Sequence, residues 1–199
     1  LSACPDRVRF VEAGTRGRYA GRLMPAARIG ILVLQLGTPD AATPSALRRY
    51  LREFLLDRRV VDVPRWRWWP ILHAFVLTTR PARSAALYQR VWTADGSPLA
   101  VTTAAQARDL ATRLAARGDD VRVEAAMRYG RPSIDDALER LIDAGCERIV
   151  AVPMYPQYAG ATTGSSLERL FTAAARRRVV PAVRVVPPYY DDPAYISAL

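Results

Sequence analysis

Three short segments concentrate the residue types able to do chemistry: Leu36-Gly37-Thr38-Pro39-Asp40, Met127-Arg128-Tyr129-Gly130, and Tyr155-Pro156-Gln157-Tyr158 followed by Thr162-Thr163-Gly164-Ser165-Ser166. Glycine lets backbone come close to a ligand, arginine is a charged planar donor, tyrosine offers an apolar face with a polar tip, and hydroxyls donate and accept. The last run leads into a predicted helix whose free N–H groups could hold an anion such as a carboxylate or phosphate. Each segment also has a plainer reading. Gly37-Thr38-Pro39 can be a simple turn, Arg128 a surface charge, Tyr129 a core aromatic with a wet hydroxyl, and the hydroxyl run ordinary helix capping.

The elements around these segments alternate. Ile29 to Leu36 is an unbroken β-rich apolar run ending at a glycine, as a buried parallel strand does. Thr43-Pro44 supplies an N-cap and a first-turn proline, and Leu47, Tyr50, Leu51, Phe54 and Leu55 follow at helical spacing. Ala104 to Arg117 reads as a helix closed by Gly118, Val121 to Ala126 as a strand, and Ser133 to Ala144 as a helix closed by Gly145. Arg148 to Pro153 is the next strand, a helix follows Gly164, and Val183 to Val186 is the fourth strand. This order predicts an α/β fold with a Rossmann-like, four-stranded parallel sheet and flanking helices. Such sheets bind ligands beyond the carboxyl ends of their strands, where all three segments are expected.

The chain has 199 residues, half of them apolar, enough for one good core. Its formal charge of +10 comes from 29 basic residues, all arginine. No basic stripe with interleaved aromatics accompanies that charge, so a solvated arginine-rich surface is the reading, and no nucleic-acid partner is expected. Cys4 and Cys146 have no paired or metal-ligand spacing, which fits a reducing, cytoplasmic setting and no zinc site. Residues 1–28 carry six arginines against two acids and lack the order of a secretory signal. They read as a disordered leader, or as sequence upstream of a start at Met24.

Pro64-Arg65-Trp66-Arg67-Trp68-Trp69-Pro70-Ile71-Leu72 is too short to cross a bilayer; Trp66, Trp68 and Trp69 either form an interfacial patch or close the core. His73, the single histidine, lies in an apolar run and reads as packed or surface-exposed rather than as a metal ligand.

Several uncommon strings recur in one order: Leu36-Gly37-Thr38-Pro39-Asp40, Tyr50-Leu51-Arg52-Glu53-Phe54-Leu55, Arg80-Pro81-Ala82-Arg83-Ser84-Ala85, Gly96-Ser97-Pro98-Leu99, Met127-Arg128-Tyr129-Gly130 and Tyr155-Pro156-Gln157-Tyr158. Together they resemble the N-terminal half of the ferrochelatases, class II chelatases of proteobacterial type. The resemblance implies a lyase of haem synthesis that inserts ferrous iron into protoporphyrin IX between two Rossmann-like lobes. It assigns 29–190 to the first lobe and 191–199 to the start of a helix leading to a second lobe of about 100–150 residues.

By resemblance, Leu36 lies against the macrocycle face, Arg80, Arg83, Tyr88 and Ser97 at the pocket mouth and wall receive the propionates, and Arg128, Tyr129 and Tyr155 lie close to the ring. The tryptophan stretch becomes a lip at the pocket mouth, giving peripheral contact with the inner membrane. The family's catalytic histidine and glutamate are expected beyond Leu199, so no catalytic residue is assigned here and the chain alone is expected to be inactive. Ferrous iron is substrate, and no cofactor is expected in this part. Two other readings remain open: a related cobalt or nickel tetrapyrrole chelatase, and a non-catalytic haem- or anion-binding remnant.

Overall fold

The computed structural model describes residues 28–199. The leader expected over 1–28 therefore lies outside the described residues, except for Arg28, which is the first residue of a strand. In chain order the elements are β1 (Arg28–Thr38), α1 (Pro44–Leu55), α2 (Arg65–Ile71), α3 (Leu77–Val91), α4 (Pro98–Ala116), β2 (Val121–Gly130), α5 (Ile134–Asp143), β3 (Cys146–Pro153), α6 (Ser165–Ala175), β4 (Ala182–Val185) and α7 (Pro193–Ala198). Two π-helical turns, Leu72–Val76 and Gly160–Gly164, join α2 to α3 and lead into α6.

All four strands are parallel, in the order β2-β1-β3-β4. The α/β fold and the four-stranded parallel sheet read from the sequence are therefore found. Local signals set the helix starts: the Thr43 hydroxyl accepts from the Ala46 N–H before α1, and the Ser133 hydroxyl accepts from the Asp136 N–H before α5. Leu32, Leu34, Ala126, Ile149 and Ala151 of the sheet pack against Ile134, Leu138 and Leu141 of α5 and Leu170 of α6. The alternate residues Ala125 and Met127 instead face Val101 and Ala104 of α4, which covers the opposite side of β2. A smaller cluster of Leu55, Leu72 and Leu77, with Phe54 and Trp68 against it, ties α1 to the helical stretch 65–91.

Several boundaries differ from expectation. The helix read as Ala104 to Arg117 begins at Pro98, because Ser97-Pro98 starts it with the proline in its first turn. β3 begins at Cys146 and β4 spans Ala182–Val185. The first two strands run past their predicted ends, to Thr38 and Gly130, so the first two segments terminate strands rather than follow them.

Two glycines make that extension possible. Gly37 (φ +107°) pairs with Tyr129, and Gly130 (φ +83°) pairs with Thr38. A Cβ on Gly37 would sit 1.8 Å from the Tyr129 carbonyl oxygen, and one on Gly130 would sit 2.4 Å from the Thr38 carbonyl oxygen. Gly37→Ala should therefore destabilise the domain by at least about 3 kcal/mol, since it combines an unfavourable dihedral with a backbone clash. Gly160→Ala, where an added Cβ meets nothing within 4 Å, should change stability by less than about 1 kcal/mol. Thermal melts followed by circular dichroism would check both, and a G37A melt matching that of G160A would contradict the close-approach argument.

Candidate functional site

The strand order reverses between β1 and β3, since β2 lies on one side of β1 while β3 and β4 lie on the other. In an open α/β sheet this switch point is where a crevice opens beyond the carboxyl ends of the strands. Leu36 and Gly37 end β1 there, Arg128 and Tyr129 end β2, Tyr155 lies just beyond β3, and Ser165 opens α6.

One carboxylate organises this crest. Asp57, in the turn after α1, accepts from Arg128 Nη2 at 2.6 Å and from Tyr129 Oη at 2.8 Å, and Ser165 Oγ donates to the same Oδ2 atom. Its other oxygen accepts the Arg59 backbone N–H at 2.8 Å. Arg128 Nε donates to Ser165 Oγ at 2.6 Å and to the Ser165 carbonyl at 3.1 Å. The guanidinium lies 4.4 Å from the centroid of the Tyr129 ring. The side chains of Asp57 and Arg128 are only 8% and 16% exposed, so the pair is largely desolvated. Tyr129 also meets Phe54 edge-on at 5.1 Å and Tyr50 edge-on at 6.4 Å, a geometry that aromatic pairs prefer.

Burial alone would push the Asp57 carboxyl upward. The hydrogen bonds from Ser165, the Arg59 N–H and Tyr129, with the Arg128 charge, outweigh that effect and hold it below the usual aspartate range. Burial pushes the Tyr129 phenol well above its ordinary value. It pushes Tyr155 up to about 12, with the nearby Ser166 hydroxyl opposing the shift. Neither the Tyr155 nor the Ser166 hydroxyl oxygen has a hydrogen-bond partner of acceptable geometry among the described residues, and the same is true of Thr163. Tyr50 is raised by burial first and then by Tyr88, Tyr129 and Tyr155 around it. The crest is thus a set of neutral phenols around one compensated ion pair.

Arg128 and Tyr129 meet on Asp57 with Tyr155 near them, whereas the ring contact of Tyr88 is with Trp92, at 6.2 Å. Ser97 is buried and accepts from Thr38 Oγ1 at 2.8 Å, tying the start of α4 to the end of β1. Leu36 is half-buried. Arg80 and Arg83 stand exposed on α3 and make no ion pair or hydrogen bond among the described residues, so they do not join the crest network. Trp66 and Trp69 are exposed, whereas Trp68 packs inward and donates its indole N–H to the Leu55 carbonyl at 2.7 Å. The tryptophan stretch thus divides between surface and core. His73 stacks on Trp69 at 4.3 Å, away from the crest network.

The anion seat expected at the start of α6 is not available as drawn. The N–H groups of Thr162 and Gly164 bond the Ala159 carbonyl, and that of Ser165 bonds the Gly160 and Thr162 carbonyls. The π-helical turn uses the donors that an ordinary helix start would leave free. Sequence reasoning also missed Asp57 and Tyr50 as site residues. Tyr50 stood in a noted string, but Asp57 sits in Leu55-Leu56-Asp57-Arg58-Arg59, where an acid beside arginines signals only local charge balance.

A ferrochelatase family model matches residues 28–199. The chain belongs to the ferrochelatase family. It is 53% identical over 172 residues to the ferrochelatase of Thioalkalivibrio sulfidiphilus, covering 86% of this chain and 47% of that protein. It is 54% identical over 174 residues to the ferrochelatase of Methylibium petroleiphilum, covering 87% and 48%, and 49% identical over 174 residues to that of Brucella anthropi, covering 86% and 49%. The chain spans about half the length of these curated relatives. Among the described residues no cluster of three or more His, Cys, Asp or Glu could hold a metal ion, and no helix is long and apolar enough to cross a membrane.

The buried ion pair makes a pH-dependent prediction. Asp57→Ala strands a largely buried arginine and should cost about 3–5 kcal/mol at neutral pH. Because the folded-state pKa of Asp57 is lowered, its contribution is fully present above the unfolded value of about 3.9 and is lost as pH falls through the folded value. Urea unfolding at pH 7 and pH 3 should show the gap between the unsubstituted chain and D57A narrowing with acid; an unchanged gap would count against the assignment.

Proposed function

We propose that this chain is the porphyrin-facing first lobe of a ferrochelatase that inserts ferrous iron into protoporphyrin IX to give haem. One observation carries the reading: the crest in which Arg128 and Tyr129 meet on Asp57, with Tyr155 just beyond β3, at the switch point of the sheet in a chain of this family. A flat, largely apolar macrocycle suits neutral phenols and aliphatic faces, with its two carboxylates kept wet.

In this reading, residues 29–190 form the lobe and 191–199 begin the helix that leads onward. Leu36 and Tyr155 face the ring, the fully buried Tyr129 supports Arg128 from behind rather than touching the ring, and Tyr88 and Ser97 line the wall. Arg80 and Arg83, exposed and unpaired among the described residues, receive the propionates at the mouth; a guanidinium matches a carboxylate with paired N–H donors. The exposed Trp66, Trp69 and Phe75, flanked by Arg65 and Arg67, form a lip that rests on the cytoplasmic surface of the inner membrane.

Metal insertion replaces two pyrrole protons by the metal, so proton acceptors must stand over the ring centre. The high phenol pKa values of Tyr129 and Tyr155 make both tyrosines poor acceptors near neutral pH. We assign that role to the part of the relatives' length that this chain does not span. The lobe described here supplies a wall, an orientation and exclusion of water.

The test is a Soret-band titration of the purified chain with protoporphyrin IX. Saturable binding is expected, weakened about tenfold by the R80A/R83A double substitution and more strongly at low salt. With ferrous iron added, metalloporphyrin should form no faster than without protein. No spectral change at any porphyrin concentration would sink the porphyrin reading, and accelerated metallation would sink the assignment of the proton acceptors.

A further inference from the structure

Arg128 is the most deeply placed cation of the crest, yet its charge is already answered. Asp57 Oδ2 lies 2.6 Å from Nη2, the Glu53 carboxylate lies 3.9 Å from Nη1, and Nε is held by Ser165. Two carboxylates thus surround one guanidinium, whose position over the Tyr129 ring is fixed by three elements. Arg80 and Arg83 on α3 have no such partner among the described residues and stand exposed. Without Asp57, the half-exposed Glu53 carboxylate at 3.9 Å would answer the guanidinium only in part, and the remaining field would attract a carboxylate about 8 Å away by up to roughly tenfold in affinity, rivalling the screened arginines outside. A dicarboxylate ring could then enter either way round.

We propose that Asp57 is an orientation-determining residue: it neutralises Arg128 so that the anionic edge of a tetrapyrrole dicarboxylate is directed only by the arginines of α3. This rests on the porphyrin reading above. Asp57 acts through Arg128 and need not touch the ligand. The same carboxylate both seats the guanidinium and cancels its field. A residue serving only stability could be replaced by any well-packed neutral pair; a charge mask shows itself through opposite shifts when either partner is removed.

The experiment compares protoporphyrin IX with its uncharged dimethyl ester, by Soret titration of the 199-residue chain at low and high salt. The readout is the ratio of the two affinities. Asp57→Asn should raise the preference for the diacid about tenfold at low salt, with most of the gain lost at high salt. Arg128→Gln should lower it by exposing the Asp57 charge. The D57N/R128Q double substitution, which returns the local net charge to its original value and can still hydrogen-bond, should restore the original ratio.

An unchanged ratio in a folded D57N chain would overturn the proposal. If D57N does not fold, the double substitution decides: loss of the diacid preference there means that Arg128 itself receives a carboxylate, and the mask is wrong. If neither porphyrin binds the unsubstituted chain, the function reading falls and the orientation role with it.

Discussion

A single carboxylate oxygen, Asp57 Oδ2, is the point on which the crest depends. It accepts from a guanidinium, a phenol and a hydroxyl that arrive from the end of β2 and the start of α6, while Asp57 itself belongs to the turn after α1. Removing a carboxylate from water is expensive unless its lone pairs are answered, and here the donors come from two elements remote in sequence from the turn that carries Asp57. The bonds are therefore conditions on tertiary geometry: α1, β2 and α6 must all be correctly seated for the charge to be tolerated. A mispacked chain would leave Arg128 or Asp57 buried without a partner.

The close backbone approach at Gly37 and Gly130 complements it. β1 and β2 stay paired to their last residues because neither glycine presents a Cβ to the opposing carbonyl. That pairing carries Arg128 and Tyr129 up to the crest rather than leaving them on a diverging loop. Tyr129 can then sit beneath Arg128, edge-on to Phe54 and Tyr50, with its hydroxyl on Asp57. Packing and charge compensation support each other: the aromatic cluster excludes water, which strengthens the ion pair, and the ion pair fixes the ring that closes the cluster.

The helical stretch 65–91 divides its labour by face. Trp68, Leu72 and Leu77 turn inward against α1, whereas Trp66, Trp69, Phe75 and Leu87 remain exposed. Scattered exposed apolar residues are ordinary, and here the large ones stand beside Arg65 and Arg67 on one helical stretch. The chain spans about half the length of its curated relatives.

The parallel α/β plan was legible in the sequence because alternating β-rich and amphipathic segments, with Thr43-Pro44 and Ser133 as caps, are local signals. The family was legible too, since its strings are contiguous. Arg128, Tyr129 and Tyr155 could be assigned to one crevice because strand ends in such a sheet converge on one side. What the sequence could not convey was the role of Asp57, the pairing of Gly37 with Tyr129, and the π-helical turn that takes up the donors before α6. Each is a relation between residues far apart in the chain or a hydrogen-bond register set by packing, and local propensity carries no record of either. The residue types and their order fixed which groups reach the crest; only the assembled fold decided that its deepest cation would arrive already neutralised.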